Sequence, residues 1–406
     1  MAGALPDSTA GLRRGLLATV RDRGGEITES VAEALLAVPR HLFVPEVSPE
    51  RAYGDEAIVT KRDADGVPIS SSSQPTIMAL MLDQLGLAPG HRVLEIGAGT
   101  GYNAALMAHL VGPSGTVVSV DIDPEVAQRA RENLAAAGYP DVTVVCADGA
   151  EGYAEAAPYD RIIATVGVWD LAPAWLDQLA SLGRVVVPLA LRGAQLSVAF
   201  EWDDGRWVSR SLIPCGFMRM RGQLGGPEQT RVLDRELGLM LSLPDSRNVD
   251  ADGVRAALDG PKVVRATEVT GDGVAHLDGV MLWLAMREPR ACALSDQDGP
   301  SAALEEALVR VPGFRTAPGI VDGADIALLG SRDLGEGSFE LQVQGYGPGG
   351  ERLATDLAAH IGAWDQAGRP SSRSMSLVAY ARDANMPRLD DEIVVDKTHT
   401  RIVVRR

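Results

Sequence analysis

HRVLEIGAGTGYNAALMAHLV, residues 91–111, is the stretch whose reading decides the fold. An apolar run stops at Gly97, glycine recurs at Gly99 and Gly101, and a helical pattern follows from Tyr102. Glycine permits positive φ and lets backbone approach a ligand with no Cβ in the way. The spacing is GxGxG, not the GxGxxG of a dinucleotide fingerprint. By itself it reads equally as a tight strand-to-helix turn.

Outward from this turn the same alternation repeats. TVVSVDID (116–123), VTVVCADG (142–149), YDRIIATV (159–166) and GRVVVPLA (183–190) are further apolar runs, and PEVAQRARENLAAAG (124–138) is helical with Pro124 in its first turn. Apolar runs alternating with helices predict a parallel sheet covered on both faces, an α/β fold. LSVAFEWDDGRWVSRSLIPCGFM (196–218) alternates around a DDG turn and predicts an antiparallel hairpin at the sheet edge. Upstream, residues 11–38 read as two short helices interrupted at RGGEITES, and VPRHLFVPE (38–46), with a proline near each end, reads as an extended loop. RGQLGGPEQ (221–229) is the best candidate linker, dividing a first domain over 1–226 from a smaller α+β domain over 227–406. In that second part KVVRATEV, GVMLWLAMR, SFELQVQGYG, SMSLVAYARD and EIVVDKTHTRIVVRR read as strands, and 253–258, 303–310 and ERLATDLAAHIGAWDQAG as helices.

Composition narrows the function. Lys+Arg total 38 against 55 Asp+Glu, a formal charge of −17 on 406 residues. Such a surface repels phosphate backbones and anionic lipid, so neither nucleic acid nor membrane is an expected partner. Cys146, Cys215 and Cys292 lie far apart with no CxxC pair, which predicts neither a metal site nor a disulfide framework. With no secretory h-region and no membrane-length apolar run, a soluble cytoplasmic protein is expected. His41, His91 and His109 are scattered, and no His–Asp pair suggests itself.

Two acids give the glycine turn a meaning. Asp121 ends the strand that follows, about 20 residues on, where a carboxylate can accept both ribose hydroxyls. Asp148, with Gly149, ends the third strand, where it could meet an adenine edge. Glu95 adds negative charge beside the turn. These acids repel a pyrophosphate and suit a cationic amino-acid ligand, so S-adenosylmethionine, carrying a sulfonium and an ammonium, fits better than NAD.

VPRHLFVPE, AYGDEAI, SSQPTIMALML, GHRVLEIGAGTGYNAALMA, VVSVDIDPEVAQRARENL, VTVVCADG, YDRIIAT, LDQLASLGRVVVPL and AQLSVAF occur in this order. Together they resemble the protein-L-isoaspartate O-methyltransferase family over about residues 11–222. The resemblance implies a class I S-adenosylmethionine-dependent methyltransferase (Rossmann-like) fold. It also implies methyl transfer to the carboxylate of an isoaspartyl residue, with S-adenosylhomocysteine as product. The cofactor residues expected from the turn and the strand ends are Glu95, Gly97, Gly99, Gly101, Asp121, Asp148 and Gly149. The resemblance places Ser73 at the acceptor carboxylate as the catalytic residue, with Ser72, Gln74 and Pro75 beside it. Without the resemblance, SSSSQPTIMA (70–79) would read as a flexible loop or a helix cap. Ser70, Ser71 and Ser72 depart from the usual lead-in, and Arg219 and Arg221 from the usual closing segment. Arg219 reads either as a solvated surface charge or as a partner for an acidic peptide.

The last 180 residues exceed the matched portion. They resemble the extension of those relatives that act on ribosomally made lanthipeptide and graspetide precursors, where methylating an Asp leads to aspartimide or isoaspartate. The expected substrate is therefore the Asp of a constrained precursor peptide, selected by residues 227–406, with housekeeping repair of isoaspartyl proteins as the alternative.

Overall fold

The computed structural model describes residues 9–272, 277–296, 301–305, 309–311, 314–336, 338–384, 386 and 392–405. Helices α1 (Ala10–Gly24), α2 (Glu29–Ala37) and the short α3 (Pro49–Ala52) precede a two-stranded hairpin, β1 (Ile58–Arg62) with β2 (Pro68–Ser72). Helix α4 (Pro75–Leu85) then leads into the alternating core. This runs β3 (Arg92–Ile96), α5 (Tyr102–Val111), β4 (Thr116–Asp121), α6 (Pro124–Ala136), β5 (Thr143–Cys146), β6 (Tyr159–Ala164), α7 (Pro173–Asp177), β7 (Leu179–Leu191), β8 (Ala194–Asp203) and β9 (Arg206–Pro214). β5, β4, β3, β6 and β7 are parallel neighbours in that order, and β8 and β9 continue the sheet antiparallel.

Consecutive residues of these strands fall into different cores, which is why the runs are apolar throughout and do not alternate. Val93, Ile163 and Val186 pack with α1, α2, α4, α5 and α6 on one face. Leu94, Ile162 and Val185 pack on the other, against Trp175 of α7. The α/β expectation and the antiparallel hairpin around Asp203–Gly205 both hold, but the hairpin is not at the sheet edge, because a further strand from the end of the chain pairs with β9.

A second, antiparallel sheet follows. It comprises β10 (Gln229–Asp234), β11 (Leu239–Leu243), β12 (Lys262–Asp272), β13 (Ala291–Asp296), β14 (Val309–Val311), β15 (Phe314–Asp322), β16 (Asp325–Gly335) and β17 (Ser338–Tyr346). Its helices are α8 (Ala251–Leu258), α9 (Leu277–Arg287) and α10 (Gly350–Gln366). The chain then comes back: β18 (Ser376–Ala381) pairs with β9, β20 (Thr400–Arg405) with β18, and β19 (Ile393–Asp396) with β20, all three extending the first sheet.

The expected division at residue 226 therefore meets a different topology. The second sheet is inserted into the first, whose edge is completed by the end of the chain. The expected linker is also packed, since Met220 and Leu224 are buried in the first sheet's core. GVMLWLAMR, expected as a strand, is α9. A short run that is apolar on every side cannot distinguish a buried strand from a doubly buried helix, and α9 is doubly buried. Leu282, Ala285 and Met286 enter the first sheet's core, while Val280, Trp283 and Leu284 enter the core under α10. Burial of each large side chain contributes about 1.5–3 kcal/mol, so this helix holds the two sheets together. VPRHLFVPE contains a 3₁₀ turn over Arg40–Phe43 instead of being extended throughout. The expected helix over 303–310 is a 3₁₀ turn at Ala302–Leu304 and a strand from Val309, with 306–308 outside the described residues. Among the described residues no helix is long and apolar enough to cross a membrane.

Candidate functional site

The site is built at the carboxyl ends of β3, β4, β5 and β6, where the crevice of an open parallel sheet lies. Gly97, Gly99 and Gly101 take φ of +101°, +54° and +87°, the region that excludes ordinary side chains. At Gly97 a Cβ would lie 2.9 Å from both Thr165 Oγ1 and Val166 Cγ1. Gly97 N donates to Val120 O at 2.7 Å, and Thr165 Oγ1 donates to Gly97 O at 2.6 Å, which fixes the turn between β4 and β6. Gly149 serves by close approach: a Cβ there would come within 2.5 Å of Ile96 Cγ2.

Asp121 sits at the end of β4 with Oδ2 accepting from Gly99 N at 3.2 Å and Oδ1 from Asp123 N at 3.0 Å. Burial pushes its carboxyl above the usual carboxylate value. Asp148 caps the 3₁₀ turn Gly149–Glu151 through Ala150 N (3.0 Å), and its other oxygen accepts from Gln223 N at 2.9 Å. Residues 219–223 thus lie across this end of the sheet. Arg219 pairs backbone to backbone with Gly167, and its exposed side chain has no ion pair among the described residues.

Glu95 departs from expectation. Its side chain is fully buried, with Oε1 accepting from Asn103 Nδ2 at 2.8 Å and Oε2 from Ser119 Oγ at 2.5 Å. Desolvation raises its pKa to about 7, against the pull of those two donors. It ties β3 to β4 and α5 beneath the glycine turn and offers no oxygen to a ligand.

On the opposite wall, β2 delivers the serine run. A Cβ on Gly99 would meet the carbonyl oxygen of Ser71 at 3.2 Å, so the serine strand lies directly on the glycine turn. Ser72, expected beside the acceptor, is 2% exposed, and both its hydroxyl (3.5 Å) and its carbonyl (3.4 Å) lie against Arg40 Nη2. Alternation along the strand turns Ser72 inward. Ser73 is half-buried, and its hydroxyl has no protein partner among the described residues. Gln74 Nε2 donates to Asp55 Oδ2 at 3.0 Å, and Pro75 opens α4 at its first helical position.

Two charged residues at this mouth, Lys61 and Asp123, escaped the reading of the sequence. Lys61 Nζ, from β1, donates to both oxygens of Asp123 at 2.9 Å, and Arg221 approaches Asp123 Oδ2 at 3.6 Å. Although burial opposes it, the Lys61 ammonium and the N–H groups of Val126 and Glu125 hold the Asp123 carboxyl below its ordinary value. The signal for Asp123 was present as the helix-start pattern Asp-Pro-Glu. Nothing in the sequence linked it to Lys61.

The residues fit a sulfonium nucleoside. The turn is a backbone cradle that a Cβ would fill, and acids stand at two successive strand ends. Of the basic residues nearest these acids, Lys61 and Arg221 are engaged with Asp123.

Residues 12–224 match the family model of protein-L-isoaspartate(D-aspartate) O-methyltransferase. A protein-L-isoaspartate O-methyltransferase of Hyperthermus butylicus is 41% identical over 225 residues, covering 53% of this chain and 91% of that protein. One from Thermotoga maritima is 38% identical over 225 residues, covering 55% of this chain and 69% of that protein. A solved protein-L-isoaspartate O-methyltransferase aligns over 90% of this chain and 96% of its own, with 27% identity and a TM-score of 0.49.

Proposed function

The chain belongs to the protein-L-isoaspartate(D-aspartate) O-methyltransferase family of S-adenosylmethionine-dependent carboxyl O-methyltransferases, and from that premise we propose that it methyl-esterifies the free carboxylate of isoaspartyl residues in proteins. The observation that carries the acceptor assignment is the contact of the Ser71 carbonyl with Gly99, which makes the acceptor loop and the cofactor turn two walls of one cleft.

In this reading Gly97, Gly99, Gly101 and Gly149 cradle the cofactor by backbone alone. Asp121 accepts the ribose hydroxyls and Asp148 the adenine edge. When bound, the cofactor supplies an electrophilic methyl: the carboxylate oxygen–methyl bond forms as the methyl–sulfur bond breaks, and sulfur keeps the electron pair. A carboxylate is already ionised at neutral pH and needs no general base. What the chain must do is hold that oxygen in line at near-attack distance and keep water away. Ser73 Oγ–H, without a protein partner among the described residues, donates to the carboxylate oxygen that does not attack.

Of the two substrates weighed from the sequence, the comparisons support isoaspartyl proteins ahead of a dedicated precursor peptide, because the relatives reported above carry the isoaspartate name. The second sheet contributes to docking of the protein substrate. Its β10–β11 turn meets the acceptor hairpin, with Arg235 Nη1 3.5 Å from Ala64 O and Nη2 3.5 Å from Asp65 Oδ1.

Matched peptides carrying isoaspartate or aspartate at one position, followed by mass spectrometry, test this reading. The expected result is gain of one methyl on the isoaspartyl form alone, with Ser73→Ala lowering the rate while S-adenosylhomocysteine affinity stays within about twofold. Methylation confined to aspartyl peptides would overturn the substrate assignment.

A further inference from the structure

Arg40 is a charge in an unusual place. It is 0% exposed, and among the described residues no carboxylate forms an ion pair with it. A buried charge is costly unless its donors are occupied, and here the two terminal nitrogens are spread over main-chain oxygens of two loops, while Nε has no partner among the described residues. Nη1 donates to Ala52 O (2.8 Å) and Gly54 O (2.9 Å), and Nη2 to Glu56 O (3.1 Å) and Ser73 O (2.9 Å). The planar fork reaches both loops at once, which a lysine ammonium on its flexible stem would not do.

The loop that receives Arg40 returns the hold. Asp55, whose side chain is 2% exposed, accepts from Thr76 N at 2.9 Å through Oδ1 and from Gln74 Nε2 at 3.0 Å through Oδ2. Ser73 is therefore fixed from both sides, its own carbonyl by Arg40 and Gln74 and Thr76 just after it by Asp55. Its hydroxyl has no protein partner among the described residues. Among those residues neither Arg40 nor Asp55 hydrogen-bonds to Gly97, Gly99 or Gly101, although the Arg40 guanidinium stands 5.9 Å from the centre of the Tyr102 ring just beyond that turn.

We propose that Arg40 and Asp55 are positioning residues that aim the Ser73 hydroxyl at the acceptor carboxylate, so that they govern methyl transfer and not cofactor binding. The proposal rests on the acceptor role given to Ser73 above. Misplacement of a catalytic group by about 1 Å costs up to about 100-fold in rate. Residues acting through one another give non-additive effects in a double-mutant cycle.

The test is the cycle of Arg40→Lys with Ser73→Ala on an isoaspartyl peptide, with S-adenosylhomocysteine affinity measured by calorimetry on every variant. The expected result for Arg40→Lys is a fall in kcat of about 10- to 100-fold, with affinity within about twofold of wild type. Adding Ser73→Ala should then cost at most about twofold more. If Arg40→Lys does not fold, Asp55→Asn takes its place in the same cycle, since an amide NH₂ facing Thr76 N or Gln74 Nε2 breaks one arm of the hold. Effects that simply multiply, or an affinity that falls in step with kcat, would overturn the proposal while leaving the function standing. A wild-type enzyme inert toward isoaspartyl peptides would overturn the acceptor role of Ser73 and this proposal with it.

Discussion

The two sheets of this protein are stabilised in different ways, and the difference explains why one is legible and the other is not. The first is built from βα units in which each strand pairs mostly with a neighbour close in sequence, and its helices are tied to the same segments. The second meanders antiparallel between β9 and β18 and joins the first through shared pieces: α9, which enters both cores, and the returning β18–β20. Asp170, fully buried after β6, accepts from Thr400 Oγ1 at 2.6 Å and His399 N at 2.5 Å. Lys397 Nζ donates to Ala190 O at 2.6 Å and stands 3.2 Å above the Trp169 ring. An inserted sheet whose exit strands complete its host's edge is not a removable module.

Truncation is the severest way to break this comparison. Ending the chain after Arg373 removes Leu377, Val395, Ile402 and Val404 from the first sheet's core. At about 1.5–3 kcal/mol each, that is roughly 6–12 kcal/mol against a typical total of about 5–15. Loss of soluble protein and of any cooperative thermal transition is expected. A truncated chain that still melts cooperatively and binds S-adenosylhomocysteine would show the host sheet to be independent.

Titration sharpens the contrast, because each border has its own buried group. Glu95 lies under the glycine turn, and its pKa is raised from 4.5 to about 7, so the folded state holds a proton the unfolded state has lost. Its contribution is present below pH 4.5 and disappears as pH rises to about 7. Lys397 lies where the returning strand meets the host sheet, and desolvation lowers its pKa from 10.5 to about 7. Its contribution is complete above pH 10.5 and lost as pH falls to about 7. The two limbs oppose one another, each worth ~3–5 kcal/mol at most, and together they put a dip in stability near neutrality. Melting temperatures from pH 4.5 to 10.5 should lose the acid limb in Glu95→Gln and the alkaline limb in Lys397→Met. Unaltered limbs in both variants would assign the dip to other groups.

Within the host sheet alone, Asp121→Ala should weaken S-adenosylhomocysteine by about 1–3 kcal/mol, the scale of hydrogen bonds to an ionised group. Calorimetry would place the nucleoside elsewhere if affinity held. The smallest effect belongs to the exposed contact between the second sheet and the β1–β2 hairpin. Arg235→Ala should change stability by no more than about 0.5 kcal/mol, since Arg235 and Asp65 are mostly solvated. It should raise KM about two- to threefold for an isoaspartyl protein and leave a short isoaspartyl peptide unaffected. Equal changes for both substrates would remove the second sheet from docking.

How much of this was written in the sequence follows from the range of each interaction. The glycine turn, Asp121, Asp148 and the βα alternation are local patterns, and each stands where its spacing implied. Glu95 was local too, but its sign misled. An acid at a strand end looks available to a ligand, and only the packing shows Asn103 and Ser119 taking both oxygens. The return of β18–β20 was illegible because a period-two strand names no partner. α9 was misread because burial on two sides erases amphipathic contrast. Ser72 and Ser73 look alike in a run of four serines until β2 pairs with β1, turns Ser72 inward by alternation and ends there, leaving Ser73 in the loop beyond it.

Asp123 joins both walls of the mouth, with Lys61 from the acceptor hairpin and Arg221 from the covering segment converging on one carboxylate. Loss of that carboxylate alone would leave Lys61 with Glu125 only and Arg221 with no ion pair among the described residues, so the first change in this trio is the hardest for descent to make. Across descendants of this chain the three positions should drift together or stand still, and a lineage that trades Asp123 for a neutral residue should already have surrendered one of the two basic ones.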